Sequence, residues 1–180
     1  MKAKDYAIYR TYEGETYNDS EIIEIGKIIS IKTKEIVAYI LYDKTSNVRG
    51  VYGMCASLKK VDGKETGIIV LDDRYREYFY KNENKIVPLM FHELGHIINK
   101  DSKGDFEGSI LHMRNEAVKN GKVLDMELNA DKFAVEQLGK SAVINALDFL
   151  ISERKKRNDL GMESAIKEFE MRKKAIKRMK

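Results

Sequence analysis

The amino-acid sequence predicts an α+β fold: a strand hairpin ahead of a central helix, followed by a mostly helical C-terminal half. Three observations carry this. Val51 to Leu58 and Thr66 to Leu71 are strand-like runs with Asp62-Gly63 between them, and Asp-Gly favours the positive backbone angles of a tight hairpin turn. From about Asn84 onward the apolar residues recur at helical spacing, with turn residues between the segments. Finally, 180 residues with 43% hydrophobic and 34% charged side chains suit one soluble domain with a substantial core, and a single cysteine, Cys55, excludes both an internal disulfide and a cysteine-based metal site.

The elements follow in order. Ser20 to Ile31 has apolar residues at 22, 25, 28 and 29, a helical spacing, whereas the seven-residue run Ile36 to Tyr42 fits a helix or a strand equally. The hairpin comes next, and around Asp72 to Tyr80 the chain turns polar and aromatic, as a loop or short helix would. A helix is predicted from near Asn84 to about Asn99, with the only proline, Pro88, in or near its first turn. A short helix near Ile110 to Lys119 leads to a firmer one from Asp125, read as its N-cap, to Leu138, with Gly139 as the stop. Ser141 opens another. Met162 to Met179 reads as the last, with Met162, Ile166, Phe169, Ile176 and Met179 on one stripe.

No apolar run approaches the length needed to span a bilayer, and the N-terminal residues lack the apolar core of a signal peptide. With no disulfide to form, the chain reads as cytoplasmic, with no membrane partner. Residues 152–180 hold eleven Lys/Arg against five Asp/Glu, so this basic amphipathic segment is set apart from a catalytic-type domain at 1–151 and is expected to pack on it.

The chemistry concentrates in His92-Glu93-Leu94-Gly95-His96. Histidines four apart on a helix project from one face and can reach one ion, while Glu93, about 100° further round, can touch a metal-bound water without occupying the metal. A catalytic zinc needs a third protein ligand and an open position. The extended three-histidine pattern would need Gly at 99 and His at 102, where the chain has Asn99 and Ser102. A carboxylate from a later helix remains. Along Asp125 to Leu138, Glu127 and Asp131 share a face with Ala130, Ala134 and Leu138 at about 100° per residue, and buried carboxylates must be paired or metal-bound. The competing assignment points these acids to solvent and turns Met126, Phe133 and Gln137 inward. We favour the first, with His92, His96 and Glu127 as ligands of one Zn2+ per chain. Asp131 would then hydrogen-bond a ligand imidazole.

The pairing of this motif with Glu127-Leu128-Asn129-Ala130-Asp131-Lys132-Phe133-Ala134 resembles the gluzincin metallopeptidases. The Phe-Ala ending is similar to ImmA/IrrE-like proteins, and the acid at Asp131 is similar to the HtpX-like branch; the small soluble body favours the former. The resemblance covers roughly residues 48 to 140 and implies a zincin-like domain that cleaves a protein or peptide substrate, often a regulator or repressor. Glu93 would serve as general base, with the peptide extended along a sheet edge at Ile68, Ile69 and Val70. All ten tyrosines lie at or before Tyr80, so none follows the motif as an oxyanion donor; His112 is retained for that role, with Arg114 beside it as the other candidate. Two other functions compete: a non-catalytic metal-dependent sensor acting on a regulator, which Glu93 disfavours, and nucleic-acid binding through the basic C-terminal helix, disfavoured because no zinc-finger, RNP or basic-zipper signature is present.

Overall fold

A computed structural model describes residues 22–29, 36–43, 54–61, 64–72, 83–101, 107–157 and 162–179. Among these residues four strands, β1 (Ile22–Ile29), β2 (Ile36–Asp43), β3 (Met54–Val61) and β4 (Lys64–Asp72), form one sheet in the order β1-β2-β4-β3. Among the described residues five helices follow: α1 (Glu83–Asn99), α2 (Glu107–Lys119), α3 (Asp125–Leu138), α4 (Lys140–Arg157) and α5 (Met162–Arg178). The architecture is α+β.

The segment with helical spacing at 22, 25, 28 and 29 is strand β1. Its composition explains this: five of eight residues are isoleucine, whose β-branch suits a pleated surface, and Gly26 weakens a helix interior. The ambiguous run at Ile36 is also a strand. The β3–β4 hairpin forms as expected, with Val61 opposite Lys64 and only Asp62 and Gly63 between them. The sheet is nevertheless mixed, because β2 and β4 run parallel, Ala38 to Asp43 pairing with Gly67 to Asp72. The polar stretch expected as a loop or short helix lies, beyond Asp72, outside the described residues.

Helix α1 occupies the centre. Ile86, Val87, Leu89, Met90, Phe91, Leu94 and Ile97 are all buried, so it is apolar nearly all round, as a helix packed on two sides must be. The sheet lies against one side, where Ala38 and Ile69 are completely buried, and α3 and α4 lie against the other. Pro88 sits in the second turn of α1 and not the first; the carbonyl it leaves without an amide belongs to exposed Asn84.

The later helices begin and end on local signals. Leu124, with extended backbone and no side-chain cap, precedes α3, so Asp125 is the first helical residue and not the cap, and its charge favours the positive helix end. Gly139 at φ 86° ends α3, with its N–H donated to the Val135 carbonyl at 2.8 Å. Helix α4 starts one residue before Ser141 and runs unbroken through 151 and 152. Helix α5 buries Ala165, Phe169 and Ile176 and packs against α2, α3 and α4. Among the described residues no helix is long and apolar enough to cross a membrane.

Candidate metal centre

The crossing of α1 and α3 brings the site together, and two small residues permit it. A Cβ added at Gly95 would lie 2.8 Å from the Ala130 Cα and 3.0 Å from its carbonyl oxygen, so the backbones touch where a larger residue would hold them apart. On either side of that contact His92 and His96 project from α1, and Glu127 projects from α3.

The three ligand candidates are buried, and they converge. His92 Nε2 lies 3.1 Å from His96 Nε2 and 3.3 Å from Glu127 Oε2, and His96 Nε2 lies 3.7 Å from Glu127 Oε1. Zinc bonds of about 2.0–2.1 Å in a tetrahedron separate neighbouring ligand atoms by about 3.3 Å. The observed spacings bracket that edge. Among the described residues this is the one group whose donor atoms could hold a metal ion together.

Each imidazole is held from behind by a carboxylate. Asp131 Oδ1 is 2.9 Å from His92 Nδ1, so that ring presents Nε2 to the centre. Asp101 Oδ2 is 3.1 Å from His96 Nδ1 and plays the same part for the second ring, a role that no spacing in the sequence announces. The turn ending α1 explains its position. Lys100 adopts φ 60°, its N–H is donated to the Ile97 carbonyl, and the Asp101 N–H is donated back to the His96 carbonyl. This Schellman-type closure returns Asp101 to its own helix.

Two arginines complete the shell, neither foreseen in this role. Arg172 of α5 donates from Nε to Asp131 Oδ2 at 2.8 Å and from Nη2 to Oδ1 at 2.6 Å, a bidentate pair, and its Nη1 lies 3.3 Å from Glu127 Oε2. Arg114 of α2 places Nη1 3.2 Å from Glu127 Oε1 and donates to Glu168 at 2.8 Å. A signal for Arg172 was present: it interrupts the apolar stripe of the last helix at an inward position. Arg114 carried no comparable signal.

Protonation follows these contacts. Burial and the Arg172 charge each push the His92 imidazolium towards losing its proton, but Asp131 and Glu127 outweigh them and raise its pKa to about 9. Burial alone would raise both carboxylates. Arg114, His92 and Arg172 instead hold Glu127 well below its usual range, and Arg172 with His92 lowers Asp131 to about 2. With both imidazoles neutral, as metal binding requires, Asp101, Glu127, Asp131 and Glu168 outnumber Arg114 and Arg172 by two charges.

The other anticipated residues fall differently. Glu93 is half-buried on α1 beside His92. His112 is exposed on α2, and it is Arg114, one half-turn on, that reaches the cluster. The peptide-docking expectation at Ile68, Ile69 and Val70 is overturned. β4 is an interior strand, hydrogen-bonded to β2 on one side and β3 on the other, so it has no free edge to offer, and Ile68 and Ile69 are 3% and 0% exposed. No protein-family model, no curated protein and no solved structure matches the chain.

Proposed function

We propose that this chain is a zinc-dependent peptidase of the gluzincin kind, acting on a protein or peptide substrate such as a regulator or repressor. The observation that carries this reading is the convergence of His92 Nε2, His96 Nε2 and the Glu127 carboxylate at the spacing of tetrahedral ligands, with a spare carboxylate, Glu93, adjacent in sequence to the first ligand. A purely structural metal site has no use for that acid, and a four-ligand closed site would leave no position for a substrate.

His92, His96 and Glu127 would hold the ion. Bound there, a divalent metal supplies Lewis-acid polarisation of a carbonyl and makes water more acidic. The chain's own residues do the rest. Asp131 and Asp101 accept from the two Nδ1 atoms, fixing both rings with Nε2 facing inward. Burial of all three ligands removes competing water and strengthens each electrostatic contact. Glu93 accepts a proton from the attacking water on its carboxylate and delivers it to the leaving amine nitrogen.

The test is Glu93→Gln in the full chain, with zinc content measured by mass spectrometry and hydrolysis measured on a proteome-derived peptide library. The wild type should cleave a subset of peptides, and the variant should retain zinc while losing about 10²–10⁴-fold in rate. A variant that cleaves as the wild type does, or a zinc-loaded wild type that cleaves nothing in the library, refutes the peptidase reading.

A further inference from the structure

The last helix carries a cation where its apolar stripe should continue. Arg172 lies between Phe169 and Ile176 on the inward side of α5 and is only 3% exposed. A buried guanidinium is costly unless well paired. Its partners come from the metal centre: Asp131, gripped through Nε and Nη2, Glu127 through Nη1, and both nitrogens of the His92 ring, 3.0 and 3.3 Å from Nη2, with the Phe169 ring beneath. Glu127 Oε2 therefore faces Arg172 at 3.3 Å and the His92 Nε2 that points into the centre at 3.3 Å. One carboxylate oxygen is shared between the guanidinium and the side of the centre where the ion would sit.

We propose that Arg172 is the resident counter-cation of the centre, a positioning residue that holds Asp131 and Glu127 in place in the metal-free chain and weakens divalent-ion binding by sharing them. The inference rests on the metal-centre reading above. Two cations drawing on the same carboxylates couple unfavourably, and by linkage each reduces the other's hold to the same extent. Helix α5 is therefore part of the centre. It keeps the ligands assembled before an ion arrives, and it sets an affinity lower than His92, His96 and Glu127 would have without it.

The test uses the full chain with Arg172→Met, which retains an apolar stem of similar length and removes the charge. Zinc affinity is measured by competition with a chromogenic chelator, and thermal unfolding is followed in excess chelator and in saturating Zn2+. The expected result is a Kd for Zn2+ tightened at least about five-fold, with a larger fall in melting temperature for the chelator-treated protein than for the zinc-loaded protein. A purely structural role would lower both melting temperatures equally and leave Kd unchanged; that outcome, or a weakened Kd, overturns the proposal. If Arg172→Met does not fold in chelator, the double variant Asp131→Asn/Arg172→Met removes both charges, and its failure to recover folding equally overturns it. A wild-type chain that binds no Zn2+ in the same titration is a distinct result, which removes the metal-centre reading and this inference together.

Discussion

Replacing Gly95 with alanine tests whether the close crossing of α1 and α3 makes the centre. The new Cβ would stand 2.8 Å from the Ala130 Cα, 3.0 Å from its oxygen and 3.2 Å from its Cβ, where ordinary contact starts at about 3.4 Å. The two backbones must part by about 0.6 Å, the difference between 3.4 and 2.8, and no rotamer change can absorb it because the obstruction is main chain. Overpacking of this kind costs about 1–3 kcal/mol, and alanine's better helix propensity returns about 1 kcal/mol, so the net loss of stability is about 0–2 kcal/mol. The effect on metal binding should be larger. His92 and His96 flank Gly95, and Glu127 stands one turn before Ala130. Separating the helices therefore lengthens the 3.3 Å and 3.7 Å gaps between the two ligand sets. A shift of about 0.6 Å exceeds the roughly 0.2 Å tolerance of metal–ligand distances, and zinc affinity should fall by at least about 10-fold, the lower end of what disturbed supporting contacts cost. Urea unfolding and chelator competition on the same preparation separate the two effects. A Gly95→Ala protein that binds zinc with wild-type affinity refutes the idea that this contact sets the ligand spacing.

Three further outcomes can be checked in the same assays. Asp101→Asn should weaken zinc binding by about 10–100-fold while leaving the metal-free fold nearly unchanged, because Asp101 is partly exposed at a helix end; an unaltered Kd would mean that Asp101 does not orient the His96 ring for the metal. Lys100→Gly should stabilise the chain by about 0.5–1 kcal/mol, since an exposed non-glycine residue at φ 60° loses about 1–2 kcal/mol to strain and glycine returns part of that gain through its freer unfolded state; a lower urea midpoint would contradict this. In excess chelator, stability should depend on pH at both ends. The raised His92 pKa contributes stability that is complete below about pH 6.5 and lost as pH rises through about 9, and the lowered Asp131 pKa contributes stability present above about pH 4 and lost as pH falls towards about 2. A melting temperature that climbs between pH 6.5 and 9 would show the His92 assignment to be wrong.

The parts of the site legible in the sequence are those written in helical spacing. His92 and His96 share a face because they are four apart, and Glu127 and Asp131 share another for the same reason. Small residues beside those acids marked the face as inward, and the structure buries Glu127, Ala130, Asp131 and Ala134 together. The hairpin was legible because Asp-Gly stands between two strand-like runs of the sequence. Where the inference failed, the deciding contacts were long-range. Four apolar positions in Ile22–Ile29 matched a helical period by coincidence, and pairing with β2 made the segment a strand. Ile68 and Ile69 were rightly placed on a strand but wrongly at an edge, since no local pattern reports which strand will take the outer position.

Local spacing and residue chemistry by themselves determined the helix with two inward imidazoles, the carboxylate pair that answers them, and the α+β character of the chain. Tertiary structure alone decided that β4 is interior, that the turn after α1 returns Asp101 to His96, and that α5 delivers Arg172 across 41 residues to Asp131. The physical reason is range. Side chains three or four apart on a helix meet because of backbone geometry, whereas a buried charge finds its partner wherever packing excludes water from both, and that depends on the whole fold.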